Sequence, residues 1–210
     1  MKRNPIKSKQ LIIEAATEHF ALYGMAGTRV DEIAKSAVIN KGMIYHYYNN
    51  KKSLYQEVLK QQMKNMYDSI FLDSSLDEKQ IIKQAISSYF DFCYDHRFYV
   101  SLMMWEMVEE WKNLNEISED IKHEMNDLLV AKVKQGIEKG YFYQDIDPRM
   151  FVSGAILQVF CSFSLFKHPN LLNEGRAMSL DFKDIENYKS KLTIQILRSL
   201  MVKDDYLGDS

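Results

Sequence analysis

Residues 53–135 are the stretch that most limits what this chain can fold into. They contain no proline and no glycine, and their apolar residues recur at three- and four-residue steps without sustained two-residue alternation. Proline and glycine are the residues that most disfavour helices, and a period near 3.6 is that of an α-helix. The sequence therefore predicts an all-α fold.

Glycine, proline and polar clusters divide the chain into separate helices. Gly24 predicts the end of a first helix over residues 6–23, and Asp147-Pro148 predicts a helix start with an aspartate cap. The other predicted helices span residues 51–71, 77–95, 98–112, 116–139, 148–167 and 182–203. Breaks are predicted at residues 73–75, 96–97 and 113–115, at Gly140, and across residues 168–181.

Charge is unevenly distributed along the chain. Residues 1–52 contain nine Lys/Arg against four Asp/Glu, a net of +5, and the rest contains eighteen against twenty-five, a net of −7. A small basic segment on an acidic chain favours contact between that segment and a polyanion. Basic N-termini also occur by chance, so charge alone leaves both interpretations open.

Residues 30–52, VDEIAKSAVINKGMIYHYYNNKK, read as two short helices joined by a tight turn. Thr28 lies at or near the start of the first helix, and the small Ala34 lets another helix cross closely. Asn40 can cap the second helix, which would bury Ile44. A face of small, aromatic and basic residues favours contact with nucleic acid. Its members are Lys41, Gly42, Met43, Tyr45, His46 and Tyr47.

The order and spacing of these residues resemble the tetracycline-repressor (TetR) family of bacterial transcription regulators over residues 6–57. Two positions depart from the family pattern: Val38 stands where the turn usually has glycine, and Met43 where a small polar residue is usual. A β-branched residue disfavours positive φ, so the turn must take a different path or carry strain. The matching positions are Ala15-Ala16, Phe20, Gly24, Thr28, Val30, Ile33-Ala34, Lys41-Gly42, Ile44-Tyr45, Tyr47-Tyr48, Lys51 and Leu54.

The resemblance implies a three-helix head whose third helix enters the major groove of double-stranded operator DNA. Gly42 would allow close approach of the backbone and donate its N–H. Thr28 would bind a phosphate through its hydroxyl or through helix-end amides. Contacts to phosphates or base edges would come from Lys41, Tyr45 and Tyr47.

Other residues of the head are candidates at the edge of this interface. Lys51 opens the fourth helix, where a helix N-terminus and a lysine can hold a phosphate; a solvated charge is the alternative. Arg29 could reach the minor groove or a phosphate, or stay solvated. His46 would lie at the rim, and Met43 would face the DNA without the polar group usual at its position. Tyr48 is predicted to pack inside the head.

Residues 89–111 are the most aromatic part of the body, which the resemblance assigns to effector binding. Aromatic and methionine stripes are more often core than pocket, yet they can also line an adaptable apolar cavity. We predict a small, largely apolar effector. Glu106 and His123 could supply polar recognition, with a solvated surface position as the alternative. The candidate walls are Tyr89, Met103, Trp105, Met107 and Phe160.

The last two long helices carry more apolar surface than one small body needs. The resemblance implies that they pair with the same helices of a second copy, forming a four-helix bundle at a two-fold axis. The alternative is that they close the core of the single chain. The candidate interface residues are Phe163, Phe166, Leu192, Ile196 and Leu200.

The sequence gives no support for an enzyme or a membrane protein. None of the five histidines lies three residues after a glutamate, as a helical di-iron site needs, and no glycine loop, nucleophile elbow or cysteine zinc cluster is present. We expect no catalysis, cofactor or metal. Without a membrane-spanning run or a signal-peptide pattern, a cytoplasmic location is expected. Cys93 and Cys161 are predicted to be buried free thiols.

Together these features predict a ligand-responsive, DNA-binding transcription regulator with a helix-turn-helix domain at residues 1–52 and a helical effector-binding and dimerisation domain at residues 53–210. We expect a homodimeric repressor that leaves a palindromic operator when the effector binds. The alternative is a helical adaptor or sensor whose head binds a protein partner. A steep loss of affinity with salt would indicate DNA.

Overall fold

The computed structural model describes residues 5–121, 124–166 and 182–202, without the side chains of residues 164–166, 182 and 183. This part of the chain has ten α-helices and no strand, apart from an isolated antiparallel bridge between Phe142 and Met201. The all-α prediction is confirmed. The helices are α1 Pro5–Gly27, α2 Val30–Ser36, α3 Lys41–Tyr47, α4 Lys51–Ser69, α5 Glu78–Asp95, α6 Arg97–Val108, α7 Lys112–Glu116, α8 Glu124–Glu138, α9 Pro148–Phe166 and α10 Phe182–Arg198, with a 3-10 turn at Ser118–Asp120.

The chain divides into two compact units, and the division falls within α4 and between α5 and α6. Unit 1 comprises Met1–Met66 and His96–Lys122, and unit 2 comprises Tyr67–Asp95 and His123–Ser210. The predicted boundary after residue 52 separates the chain by function and stays a prediction. The structural grouping differs from it because α6 and α7 belong with the N-terminal helices.

Unit 1 is built on α1, which packs against α2 and α6. The rings of Phe20 and Tyr55 meet edge to face at 4.9 Å in its core. The regular helix breaks at Gly24, where φ is +66°, as predicted. The indole of Trp105 lies against this break, so that a Cβ on Gly24 would be 2.9 Å from Cδ2, and its Nε1–H donates to the carbonyl of Ala21 at 3.2 Å. Glycine is therefore required both by conformation and by space.

The end of α6 lies at Val108, earlier than the predicted end at residue 112. Glu110 and Trp111 follow in the left-handed region, with φ of +57° and +60°. This region costs a non-glycine residue on the order of 1–2 kcal/mol. Neither glutamate nor tryptophan is a usual helix-stop residue, so the sequence contains no signal for this turn.

The start of α7 depends on a side chain from the preceding helix. The buried Glu106 carboxylate accepts the backbone N–H of Leu114 at 2.9 Å, which satisfies an amide in the first turn of α7. Residues 113–115, predicted as a break, therefore lie in a helix. The prediction of one helix over 116–139 is wrong in its first part, since α7 ends at Glu116 and the 3-10 turn Ser118–Asp120 follows it.

Unit 2 is built on α5, which packs against α8, α9 and α10. The ring of Phe90 lies 4.8 Å from that of Phe163 and 6.2 Å from that of Tyr188. The ring of Phe142, which follows α8, covers Gly136 of that helix so closely that a Cβ on Gly136 would lie 2.1 Å from Cε2 of the ring. Glycine at this position thus makes room for an aromatic ring of the core.

Four predicted dimer residues are buried inside unit 2. Leu200 and Ile196 are 0% and 1% exposed, and Leu192 and Phe163 are each 8% exposed. These side chains close the core of the single chain, which is the alternative stated above, and their part in a dimer stays a prediction. Periodicity identifies the apolar face of a helix but not the element that covers it. The side chain of Phe166 lies outside the described residues.

One stripe of α9 remains exposed at steps of three and four residues. It is formed by Met150, Ser153, Gly154, Leu157, Gln158 and Cys161. Cys161 is thus exposed, contrary to the prediction. Cys93 is buried as predicted, and burial raises the pKa of its thiol to about 12.

Candidate nucleic-acid interface

The residues predicted to read DNA lie on α3, whose inner side is fixed by Ile44, buried as predicted. Asn40 caps this helix as predicted, its Oδ1 accepting the N–H of Gly42 at 2.7 Å. The prediction that Gly42 donates this N–H to DNA is therefore corrected, because the hydrogen is already used within the protein. Gly42 is exposed and has no side chain, so it still permits close approach.

The turn between α2 and α3 contains Val38 in the left-handed region, with φ of +53° and 72% of the residue exposed. Its N–H donates to the carbonyl of Lys35 at 3.1 Å, and the N–H of Ile39 donates to that of Ala34 at 2.9 Å. Of the two predicted outcomes, a different path or strain, the structure shows strain.

The outer face of α3 presents basic and aromatic side chains. Lys41, Tyr45 and His46 are exposed, while Met43 and Tyr47 are half-buried. The Nζ of Lys41 lies 2.9 Å from Oδ1 and 3.0 Å from Oδ2 of Asp31, in the first turn of α2. This hydrogen bond raises the pKa of Lys41, so its positive charge is retained at neutral pH.

A basic side chain of α1, absent from the predicted site, lies beside this face. The Nζ of Lys9 is 5.5 Å from the centroid of the Tyr47 ring, within the distance at which a cation is attracted to an aromatic face. Lys9 is exposed. The basic N-terminus was visible in the sequence, but nothing in the sequence connects position 9 with position 47.

Tyr48 ends α3 and is half-buried, in agreement with its predicted inward packing. Burial is the main cause that raises the pKa of its phenol to about 12, with smaller contributions from Glu57 and Tyr47. Tyr48 is thus neutral at physiological pH and belongs to the support of the reading helix.

Thr28 and Lys51 fix the connection between α1 and α2. The buried Thr28 hydroxyl donates to the carbonyl oxygens of Gly24 at 2.7 Å and His19 at 3.0 Å. The Nζ of Lys51 donates to the carbonyls of Ala26 at 3.3 Å and Thr28 at 3.1 Å. The predicted donation from the Thr28 hydroxyl to a phosphate is corrected, because its one hydrogen is shared between carbonyls. A phosphate contact of Lys51 stays a prediction.

Arg29 is exposed and precedes α2 without capping it through its side chain. Its position leaves both predicted roles open, a contact with DNA or a solvated charge.

The predicted effector-pocket residues are distributed over both units. In unit 1, Trp105 and Met107 are partly exposed, Met103 is buried, and Glu106 is buried rather than solvated. In unit 2, Tyr89 and Phe160 are buried. His123 lies outside the described residues. The described residues contain no group of His, Cys, Asp and Glu suited to a metal ion, and none of their helices combines the length and apolarity needed to span a bilayer.

Comparison with known proteins agrees with this geometry. Residues 12–58 match the family model described as bacterial regulatory proteins, tetR family. The HTH-type transcriptional repressor SCO4008 of Streptomyces coelicolor is 35% identical over 138 residues, which cover 66% of this chain and 69% of that repressor.

Two solved structures share the fold. A bacterial regulatory protein of the tetR family from Rhodococcus RHA1 aligns with a TM-score of 0.74 at 18% identity, covering 94% of this chain and 98% of that protein. The transcriptional regulator FadR from Bacillus subtilis, solved in complex with stearoyl-CoA, aligns with a TM-score of 0.67 at 19% identity, covering 90% and 98%.

Three observations agree with one another. The structure has a helix-turn-helix, the family model matches the residues that form it, and the similarity to SCO4008 extends over a longer part of the chain. The chain belongs to the TetR family of bacterial DNA-binding transcription regulators.

Proposed function

We propose that this protein is a homodimeric transcriptional repressor that binds a near-palindromic operator and leaves it when a small, largely apolar effector binds. The observation that carries the proposal is the outer face of α3, where Lys41, Tyr45 and His46 are exposed on a helix fixed from behind by Ile44. Such a repressor acts in the cytoplasm, on the DNA itself.

In this proposal α3 enters the major groove, and the two copies of it lie in successive grooves about 34–36 Å apart. Lys41 and Lys9 supply charge for phosphates, and Tyr45 and Tyr47 reach phosphates or base edges. Each phosphate contact made by a lysine adds about 0.9 to the salt dependence of the logarithm of affinity. The roles of Arg29, Met43, His46 and Lys51 are further parts of the proposal.

The exposed stripe of α9 is the surface that we propose for the second copy. Ser153 and Gly154 are small, and nothing lies within 4 Å of the place where a Cβ on Gly154 would be. Small residues allow two helices to approach closely. Leu157, one turn further along α9, adds exposed apolar surface. A two-fold axis along this stripe would form a four-helix bundle with α10.

We place the apolar effector among the aromatic residues of unit 2. Phe90, Phe163 and Tyr188 form a cluster, with Tyr89 and Phe160 buried on the same helices, α5 and α9. Aromatic walls of this kind suit an acyl or other hydrocarbon group. Since the FadR structure contains stearoyl-CoA, stearoyl-CoA is a reasonable first probe for this chain.

Selection of bound duplexes from random DNA tests the DNA-binding part of the proposal. We expect enrichment of a palindromic sequence whose half-sites are one helical turn apart. Lys41→Ala and Tyr45→Ala should each weaken binding to the selected duplex, by about fivefold or more, because each removes a contact of the reading face.

The dimer and the helical content should remain unchanged in both variants, since both side chains are exposed. Unchanged affinity in both variants would contradict the assignment of α3 as the reading helix.

Effector release is tested by reciprocity. A ligand that weakens operator binding must itself bind more weakly to the operator complex, by the same factor, and typical coupling energies are about 1–3 kcal/mol. Titrating the protein with stearoyl-CoA, in the presence and in the absence of the selected duplex, measures the two ligand affinities to be compared. Binding of equal strength in the two titrations would exclude stearoyl-CoA as a releasing effector.

A further inference from the structure

An acidic residue of α2 is bound to a lysine of the reading helix. Both carboxylate oxygens of Asp31 lie within hydrogen-bond distance of Lys41 Nζ, at 2.9 and 3.0 Å. The pair connects the first turn of α2 with the first residue of α3, across the turn that contains Val38. Both side chains are exposed, so the pair lies on the surface proposed to face DNA.

Two explanations are available for an acidic residue at this place. A carboxylate in the first turn of a helix is stabilised by the helix dipole, and Glu32 next to Asp31 has the same advantage. That explanation applies equally to both residues. Only Asp31 is paired with Lys41, however, and this pairing brings a negative charge to the lysine that would meet a phosphate.

The charge of Asp31 must affect the two kinds of DNA binding differently. Non-specific binding comes almost entirely from attraction between lysines or arginines and phosphates, so a carboxylate that partly neutralises Lys41 weakens it through that lysine. In a specific complex the same carboxylate also holds the Lys41 side chain in one position. Holding a flexible side chain in its bound position lowers the entropy lost on binding.

We propose that Asp31 is a specificity-determining residue, which holds Lys41 in place for the operator and weakens binding to other DNA. The inference rests on the proposed function. Lys41 has three donor hydrogens, so its ammonium can keep Asp31 while it binds a phosphate. Asp31 therefore acts through Lys41 without having to touch DNA.

The test compares Asp31→Asn with Glu32→Gln, a matched variant that removes the same charge from the same helical turn. Filter binding measures the affinity of each protein for the selected duplex and for a random-sequence duplex of equal length, at one salt concentration. We expect Asp31→Asn to raise affinity for the random duplex by about threefold to tenfold. The ratio of selected to random affinity should fall at least about threefold below the values for wild type and Glu32→Gln.

A second comparison uses Lys41→Gln. If Asp31 acts through Lys41, adding Asp31→Asn to Lys41→Gln should leave the affinity ratio unchanged, whereas a purely general charge effect would persist in the double variant. Circular dichroism shows whether each variant retains its helices, which is expected because both side chains are exposed.

Equal changes in Asp31→Asn and Glu32→Gln would overturn the inference, and so would an unchanged or higher affinity ratio in Asp31→Asn. Either result leaves the proposed function intact as long as the wild type prefers the selected duplex. A wild type that binds both duplexes equally would instead overturn the proposed function, and with it the inference.

Discussion

At the scale of single residues, the backbone strain at Val38 could be anticipated from the sequence, because valine stands where the family usually has glycine. The sequence indicates that a β-branched residue replaces glycine in the turn, and the structure retains positive φ there. Other single-residue features could not be predicted. The contacts of Lys9 with Tyr47 and of Asp31 with Lys41 depend on how three helices fold together.

Val38→Gly should stabilise the protein. Glycine removes the cost of placing a β-branched side chain at φ of +53°, of order 1–3 kcal/mol, and this exceeds the added freedom of glycine in the unfolded chain, about 0.4–1 kcal/mol. We expect a net gain of about 1 kcal/mol in the free energy of unfolding, measured with urea.

Val38→Ala is the control for this change, because it also removes the exposed side chain but keeps a Cβ in the left-handed region. It should give less than half of the gain seen with glycine. If glycine at position 38 lowers stability or leaves it unchanged, the turn is not strained by Val38.

At the scale of secondary structure, the sequence predicts the long helices well and the segment after α6 poorly. Residues 53–135 contain periodicity that fixes α4, α5 and α8. The position of α7 depends instead on Glu106, a residue of another helix, and on two residues in the left-handed region. Local patterns cannot report an interaction that exists only after the chain has turned back on itself.

The carboxylate of Glu106 is the centre of this segment. It accepts hydrogen bonds from the backbone N–H of Leu114, from Asn113 Nδ2 at 3.0 Å and from the Tyr55 hydroxyl of α4. Burial, followed by the negative charge of Glu106, raises the pKa of Tyr55, so this hydroxyl stays protonated as a donor. Three donors converge on one buried anion and hold α4, α6 and α7 together.

Glu106→Gln should destabilise the protein by about 1–3 kcal/mol, because an amide group would replace one acceptor oxygen with a donor that faces other donors. Urea unfolding measures the effect. Glu109→Gln is the matched control one turn away, where the contact to Asn113 is long, at 3.5 Å, and the side chain is only part-buried. Equal destabilisation by the two variants would show that the network around Glu106 does not hold α7 in place.

At the scale of the whole molecule, the sequence predicts a dimer through the last two long helices, and the structure shows how much of their apolar surface is already buried. Many apolar side chains of α9 and α10 are buried in the core of unit 2. The surface that these helices leave for a partner is therefore smaller than their apolar content suggests, and it is partly polar. Which face of a helix remains exposed is determined by packing, which one sequence does not contain. The proposed dimer therefore depends on the stripe of α9 that contains Leu157.

Leu157→Glu should convert the proposed dimer to a monomer, because two new carboxylates would face each other near the two-fold axis. Sedimentation velocity at micromolar concentration measures the change, and circular dichroism should show the same helical content as in the wild type. Phe71→Glu is the control, since it adds the same charge at another exposed apolar residue of unit 2. A variant at Leu157 that sediments as the wild-type dimer does would place the interface elsewhere.

The position of Trp105 against Gly24 gives this protein an optical reporter of its own. The chain has two tryptophans, Trp105 and Trp111, on either side of the end of α6 and both in unit 1. Their intrinsic fluorescence therefore comes from one short region near the kink of α1. A change in this emission on addition of stearoyl-CoA would therefore report an event in that region of unit 1. Unlabelled protein can thus show whether ligand binding is felt in the unit that carries the reading helix.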